Sequence, residues 1–169
     1  ITQVAPARTD QVDPATQTVS DNLIVKKDWG VSFVKNSAYK AEASFPADSE
    51  SSPNTLFFYE PINKERITVD YIFGGTAITT VDSKFGYMTI RFDAKTKQWM
   101  KEITENGKPS ILPEVANFYT TDNLPVFQTT GRRLTYVVPL SYTTFLQFNI
   151  TGSGVTQPLT DLVKTLKKI

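Results

Sequence analysis

Tyr87-Met88-Thr89-Ile90-Arg91-Phe92 and Gln98-Trp99-Met100-Lys101-Glu102-Ile103 stand on either side of Asp93-Ala94-Lys95-Thr96-Lys97. Side chains in an extended strand alternate between two faces, so the alternation in these runs predicts two strands. The polar stretch between them predicts a turn, with Asp93 bonding its own backbone to hold the bend. Trp99 on the return arm is expected to pair across the strands with an aromatic or β-branched residue of the first arm. An antiparallel hairpin at the centre of the chain sets the reading of everything around it.

The same period of two runs upstream. Ile67, Val69, Tyr71 and Phe73 alternate with polar positions until Gly74-Gly75 breaks the strand. Thr76 to Val81 is β-branched and is expected to extend the same sheet. Leu56-Phe57-Phe58-Tyr59 reads as a buried strand. Tyr39, Ala41, Ala43 and Phe45 share a face of another, which stops at Pro46, and residues 47–54 form a polar acidic loop. Trp29, Val31 and Phe33 lie on one face of an opening strand, with structure beginning near Leu23. Residues 1–22 contain no aromatic side chain and are rich in Thr, Gln, Asp, Ala and Pro. Such a stretch buries too little apolar surface to offset its ordering entropy. It reads as a flexible leader or tether with a reach of roughly 25 Å, followed by one globular unit over 23–169.

Downstream, Asn106-Gly107 marks a second turn within 105–109, because this dipeptide accepts positive φ. Pro113 and Pro125 bracket a segment whose residues 113–119 fit a helical turn or a short strand equally well. Residues 126–129, 134–138 and 144–150 read as three closing strands, ended by Thr151-Gly152-Ser153-Gly154. A helix is expected from Pro158 to Lys168. Leu159, Leu162, Val163 and Leu166 fall on one stripe of it, Pro158 suits its first position, and its lysines lie toward the negative end of the dipole. A helix this short is marginal alone, so it must dock on the sheet. The expected architecture is α+β: a twisted antiparallel sheet of some six to eight strands, with the C-terminal amphipathic helix packed on one face.

The chemistry is narrowed by what is missing. The chain has no histidine and no cysteine. Ser–His and Cys–His catalysis, disulfides, and zinc sites built on imidazole or thiolate are thereby excluded. Its 18 Lys+Arg balance 17 Asp+Glu for a net charge of +1, which gives no support for a nucleic-acid partner. No apolar run is long enough to span a membrane. The chain opens on Ile1 rather than Met, which suits a processed product with any signal peptide or anchor upstream.

Among the residue types left, Glu60, Glu65 and Asp70 cluster in sequence, but their spacing singles out no glycosidase pair. Gly152-Ser153-Gly154 lacks the first glycine of a nucleophile elbow, and Asp48-Ser49-Glu50-Ser51-Ser52 is more simply a loop than a cation site. No catalytic, cofactor or metal residue is therefore assigned. The candidates for a partner surface are the flat rings of Trp99 and Tyr119 and the cations Arg132 and Arg133, which would join Lys26-Lys27 and the C-terminal lysines in a basic strip if they met.

The order of elements carries one likeness. The strand Trp29-Gly30-Val31-Ser32-Phe33 opens it. Arg133-Leu134-Thr135-Tyr136-Val137-Val138 and Phe145-Leu146-Gln147-Phe148-Asn149-Ile150 come late, before a short helix closing on Lys164-Thr165-Leu166-Lys167. This resembles the PsbP-like group of α/β/α sandwich domains and the small anchored extracytoplasmic bacterial domains of that shape. The resemblance implies a central antiparallel sheet flanked by helices. It also implies a non-enzymatic binding or assembly role in a bacterial cell envelope, toward a protein or an envelope polymer. Two other expectations stand beside it: a carboxylate-based hydrolase acting on glycans or peptides, and a pilin-like or surface-layer subunit.

Overall fold

The computed structural model describes residues 21–42, 54–130, 133–152 and 154–169. In chain order the strands are β1 (Leu23–Lys26), β2 (Val31–Val34), β3 (Lys40–Glu42), β4 (Thr55–Glu60), β5 (Glu65–Phe73), β6 (Ala77–Asp82) and β7 (Gly86–Asp93). They continue with β8 (Gln98–Glu105), β9 (Lys108–Pro113), β10 (Phe118–Tyr119), β11 (Pro125–Thr130), β12 (Leu134–Pro139) and β13 (Thr144–Thr151). Helix α1 (Gln157–Lys164) and strand β14 (Lys167–Lys168) follow.

The strands form three sheets. The largest has seven, in the order β10-β11-β12-β13-β5-β4-β3, and every pairing in it is antiparallel. A four-stranded meander, β6-β7-β8-β9, and a small sheet, β1-β2-β14, complete the set. The expected single slab is corrected here. Thr76 to Val81 does not extend the sheet of β5. After the positive φ of Gly74 the chain leaves that sheet and starts the meander.

The central strands of the seven-stranded sheet, β12 and β13, are buried on both faces, and their sequence says why. Alternate residues of β12 and β13 sort onto opposite sides. Tyr136 and Val138 lie with Leu146, Phe148 and Ile150 on one face, against Val31, Phe33, Leu159, Leu162, Val163 and Leu166. Val137 and Phe145 point the other way, into a second cluster with Ile78, Met88, Ile90, Ile103 and Phe127. A strand covered on one side alternates apolar with polar. A strand covered on both reads as a continuous apolar run, as Tyr136-Val137-Val138 and Phe145-Leu146 do. Each fully buried side chain of this kind contributes about 1.5–3 kcal/mol relative to exposure.

The central hairpin forms as its pattern requires. Phe92 and Trp99 are register partners, with ring centroids 5.3 Å apart in an edge-on arrangement. Asp93 holds the turn by accepting from the Lys95 N–H at 3.0 Å and the Thr96 hydroxyl at 2.9 Å. Those donors hold its carboxyl below the usual range. Asn106 and Gly107 both have positive φ, 50° and 74°, and lead directly into β9. Within 113–119 the open choice resolves toward strand: Pro113 ends β9, Phe118–Tyr119 is β10, and 114–117 link them.

The terminal helix is shorter than its stripe of leucines suggested. It ends at Lys164, and Lys167–Lys168 is a strand paired with β2, not a last helical turn. Thr165 explains the stop. Its hydroxyl donates back to the Leu162 carbonyl at 2.7 Å and accepts from the Val34 N–H at 2.8 Å. Leu166 still reaches the core, fully buried. Ala43, Phe45, residues 47–53 of the acidic loop and residues 1–20 of the leader lie outside the described residues. No helix among the described residues is long and apolar enough to cross a membrane.

Candidate functional site

Two concavities stand out. The first, of about 270 Å³, lies where the start of β8 meets residues 113–116 and the strands β10 and β11. Trp99, Tyr119, Phe127, Pro113 and Pro125 give it an apolar wall, and Lys97, Gln98 and Glu114 give it polar edges. Trp99 is half-buried and locked by four rings: Phe92 at 5.3 Å, Phe127 at 5.9 Å, Phe145 at 6.0 Å and Tyr142 at 6.4 Å. Tyr119 is 56% exposed. The floor is fixed from the backbone. Glu114 N–H donates to the Trp99 carbonyl at 2.9 Å, and its carboxylate lies 3.0 Å from the Lys101 ammonium. Asn117 N–H donates to the Val126 carbonyl, and its side-chain oxygen accepts from the Gln128 N–H, both at 2.8 Å. A stiff aromatic edge beside an amide suits a flat apolar or sugar surface.

The second concavity, of about 280 Å³, lies between the start of β5, the end of β13 and the approach to α1. It is lined by Glu65, Arg133, Thr151, Gly152 and Thr156 among others. Glu65 is only 3% exposed, and the Tyr39 hydroxyl donates to its Oε2. Burial, then that bond and the charges of Glu65 and Glu60, push the Tyr39 phenol well above its ordinary value. Gly152 is required beside this carboxylate. A Cβ there would sit 2.8 Å from Glu65 Cα and 2.9 Å from Glu65 Cγ.

Glu60 and Glu65 are register partners across the β4–β5 hairpin. Glu60 spends its carboxylate on the turn it precedes, accepting from the Ile62 and Asn63 N–H groups at 2.7 Å each. These bonds, the one from Asn63 foremost, hold its carboxyl below the usual range. A general acid near neutrality needs the opposite shift. Asp70, the third acid of that sequence cluster, accepts from the Thr55 hydroxyl at 2.8 Å. Among the described residues no group of three or more acids could hold a metal ion.

Of the four residues singled out from sequence, Trp99 and Tyr119 meet in the first concavity and Arg133 lines the second. Arg132 lies outside the described residues. The lysines gather only in part. Lys26 and Lys168 both flank Val31 in the small sheet, but Lys26 is bound to Asp28 at 3.0 Å and the Lys168 ammonium donates to the Leu140 carbonyl. Arg133 shares its cavity with Thr156 at the opposite end of α1, a helix about 12 Å long, so it does not join them. Tyr39 was missed as a polar partner. It meets Glu65 from 26 positions away, and nothing local in the sequence marks that pairing. No known protein family matches the chain, and no curated protein or solved structure shows significant similarity to it.

Proposed function

We propose that this chain is a non-catalytic binding or assembly domain of a bacterial envelope protein, held outside the cytoplasm through residues 1–22, in keeping with its PsbP-like resemblance. The observation that carries the reading is the meeting of Trp99 and Tyr119 in one groove. Phe127 and two prolines continue its apolar wall there. The bound species is a protein segment or an envelope polymer laid across these rings. Hydrolysis is the less favoured reading, because Glu60 is committed to its turn and held in the wrong direction for an acid.

Tryptophan fluorescence tests this directly, since the chain has only two tryptophans and Trp29 is buried. Soluble peptidoglycan fragments should change the emission of the wild type, Tyr119→Ala, which keeps the Trp99 reporter, should abolish the saturable change, and Trp99→Phe should abolish the binding heat in isothermal titration calorimetry. If wild-type emission is unaffected by these fragments and by envelope-protein extracts, the groove is not a binding site. If glycan strands are cleaved, and Glu65→Gln stops cleavage, the hydrolase reading replaces this one.

A further inference from the structure

The outer face of the meander β6–β9 has no layer over it among the described residues. Register assigns its side chains. One row across the sheet is Val81, Tyr87, Thr104 and Pro109, and the next is Thr79, Thr89, Glu102 and Ile111. The third is Ala77, Arg91, Met100 and Pro113. Val81 is 59% exposed, Tyr87 68% and Ile111 48%. The Thr79 and Thr89 hydroxyls satisfy each other at 2.9 Å. Only two positions of the three rows carry charge, Arg91 and Glu102; Asp93, two positions beyond Arg91 on the same face of β7, lies at the turn end and feels the Arg91 charge. They are diagonal neighbours, yet no ion pair joins them, and Arg91 Nε is buried without a hydrogen-bond partner. A solvated sheet face is ordinarily studded with charge.

We propose that two copies of this chain associate through this face. The charge pattern argues for a second copy over an unrelated partner. A two-fold axis lying in the face, midway between Arg91 and Glu102, sets Arg91 of each copy against Glu102 of the other. One self-complementary patch then satisfies both charges twice, as an isologous contact requires. The β9 edge of the same sheet is poorly suited to the alternative of in-plane strand addition. Glu114 N–H points inward to the Trp99 carbonyl, so by alternation the amides of positions 109, 111 and 113 would point outward. Positions 109 and 113 are prolines and have no N–H to give. Four strands about 4.8 Å apart present a few hundred Å² per copy in projection, below the ~800 Å² per partner of a standard interface, so the dimer is weak and transient. This face shares only Pro113 with the aromatic groove, so it stands or falls independently of the proposed ligand.

Sedimentation equilibrium of the full chain, from low micromolar to several hundred micromolar, tests the proposal. The wild type should show reversible dimerisation that weakens with added salt. Arg91→Glu and Glu102→Arg should each raise the dissociation constant at least tenfold, with circular dichroism unchanged. The double variant Arg91→Glu/Glu102→Arg should return it to within about threefold of wild type. A wild type that stays monomeric throughout overturns the proposal. So does a dimer indifferent to either reversal, or a double variant no better than the single ones.

Discussion

Gly152→Ala should be among the most damaging single-methyl changes in this chain. Gly152 directly follows Thr151, the residue of β13 paired with Arg66, so it lies against Glu65 at the mouth of the second cavity. A Cβ built there meets Glu65 Cα at 2.8 Å, Glu65 Cγ at 2.9 Å and the Lys64 carbonyl oxygen at 3.0 Å. Two of those three atoms are backbone, so no rotamer change relieves the contact. The φ of +133° adds a second penalty, since it lies where side-chain-bearing residues are strained. Strain of that sort costs about 1–3 kcal/mol, and forcing extra volume into a packed site costs about 1–3 kcal/mol more. The sum, roughly 2–6 kcal/mol, is a large part of the ~5–15 kcal/mol that holds a typical domain folded. Gly74→Ala supplies the control. Its φ is +83° but nothing lies within 4 Å of the added methyl, so only the conformational term of about 1–2 kcal/mol applies. Urea unfolding followed by circular dichroism measures both. A loss for Gly152→Ala no greater than that for Gly74→Ala would refute the close approach of β13 to Glu65.

Three other outcomes follow from the same geometry. Glu60 is held below the ordinary carboxyl value of 4.5, so its contribution is complete above about pH 4.5 and disappears as pH falls through the lower native value. Glu60→Gln should therefore destabilise at pH 7 and matter much less at pH 3, read as the difference in urea midpoint from wild type. Tyr39 is shifted the other way: its contribution is intact below the ordinary phenol value of 10.0 and is lost as pH rises beyond it. Tyr39→Phe should flatten the alkaline side of the stability profile and, at neutral pH, cost about 1–3 kcal/mol by removing a donor to buried Glu65. Leu162→Ala, at a side chain 1% exposed beneath α1, should lower stability by about 2–5 kcal/mol in thermal or urea unfolding.

Local patterns were legible wherever one face of an element decided its sequence. The hairpin at 87–103 and the leucine stripe from Leu159 to Leu166 both show this. The division of the strands into three sheets was not legible, because a strand carries no mark of which sheet it joins. The doubled apolar runs Val137-Val138 and Phe145-Leu146 did hold the signal for a sheet covered on both sides. Strand β9 was hidden by its prolines, which a sequence reader takes for breaks and an edge strand accepts. The helix end was misplaced because Leu166 satisfies two geometries. It continues the helical stripe, and it also reaches the core from the turn made by Thr165. At the site, Trp99 and Tyr119 were visible as exposed-ring candidates. The Tyr39–Glu65 contact depends on the fold bringing distant segments together, so no spacing rule could announce it.

Strand β14 lies beside β2, and the Ile169 N–H reaches the Gly30 carbonyl at 3.0 Å, so opposite ends of the described chain are stitched to one another. On the ribosome the small sheet can close only after residues 165–169 have emerged. While residues 165–169 remain inside the exit tunnel, β2 lacks one neighbour and the slot filled by Leu166 stays vacant. A nascent polypeptide halted at 164 would be expected to remain open to proteases, however well its central hairpin had already formed.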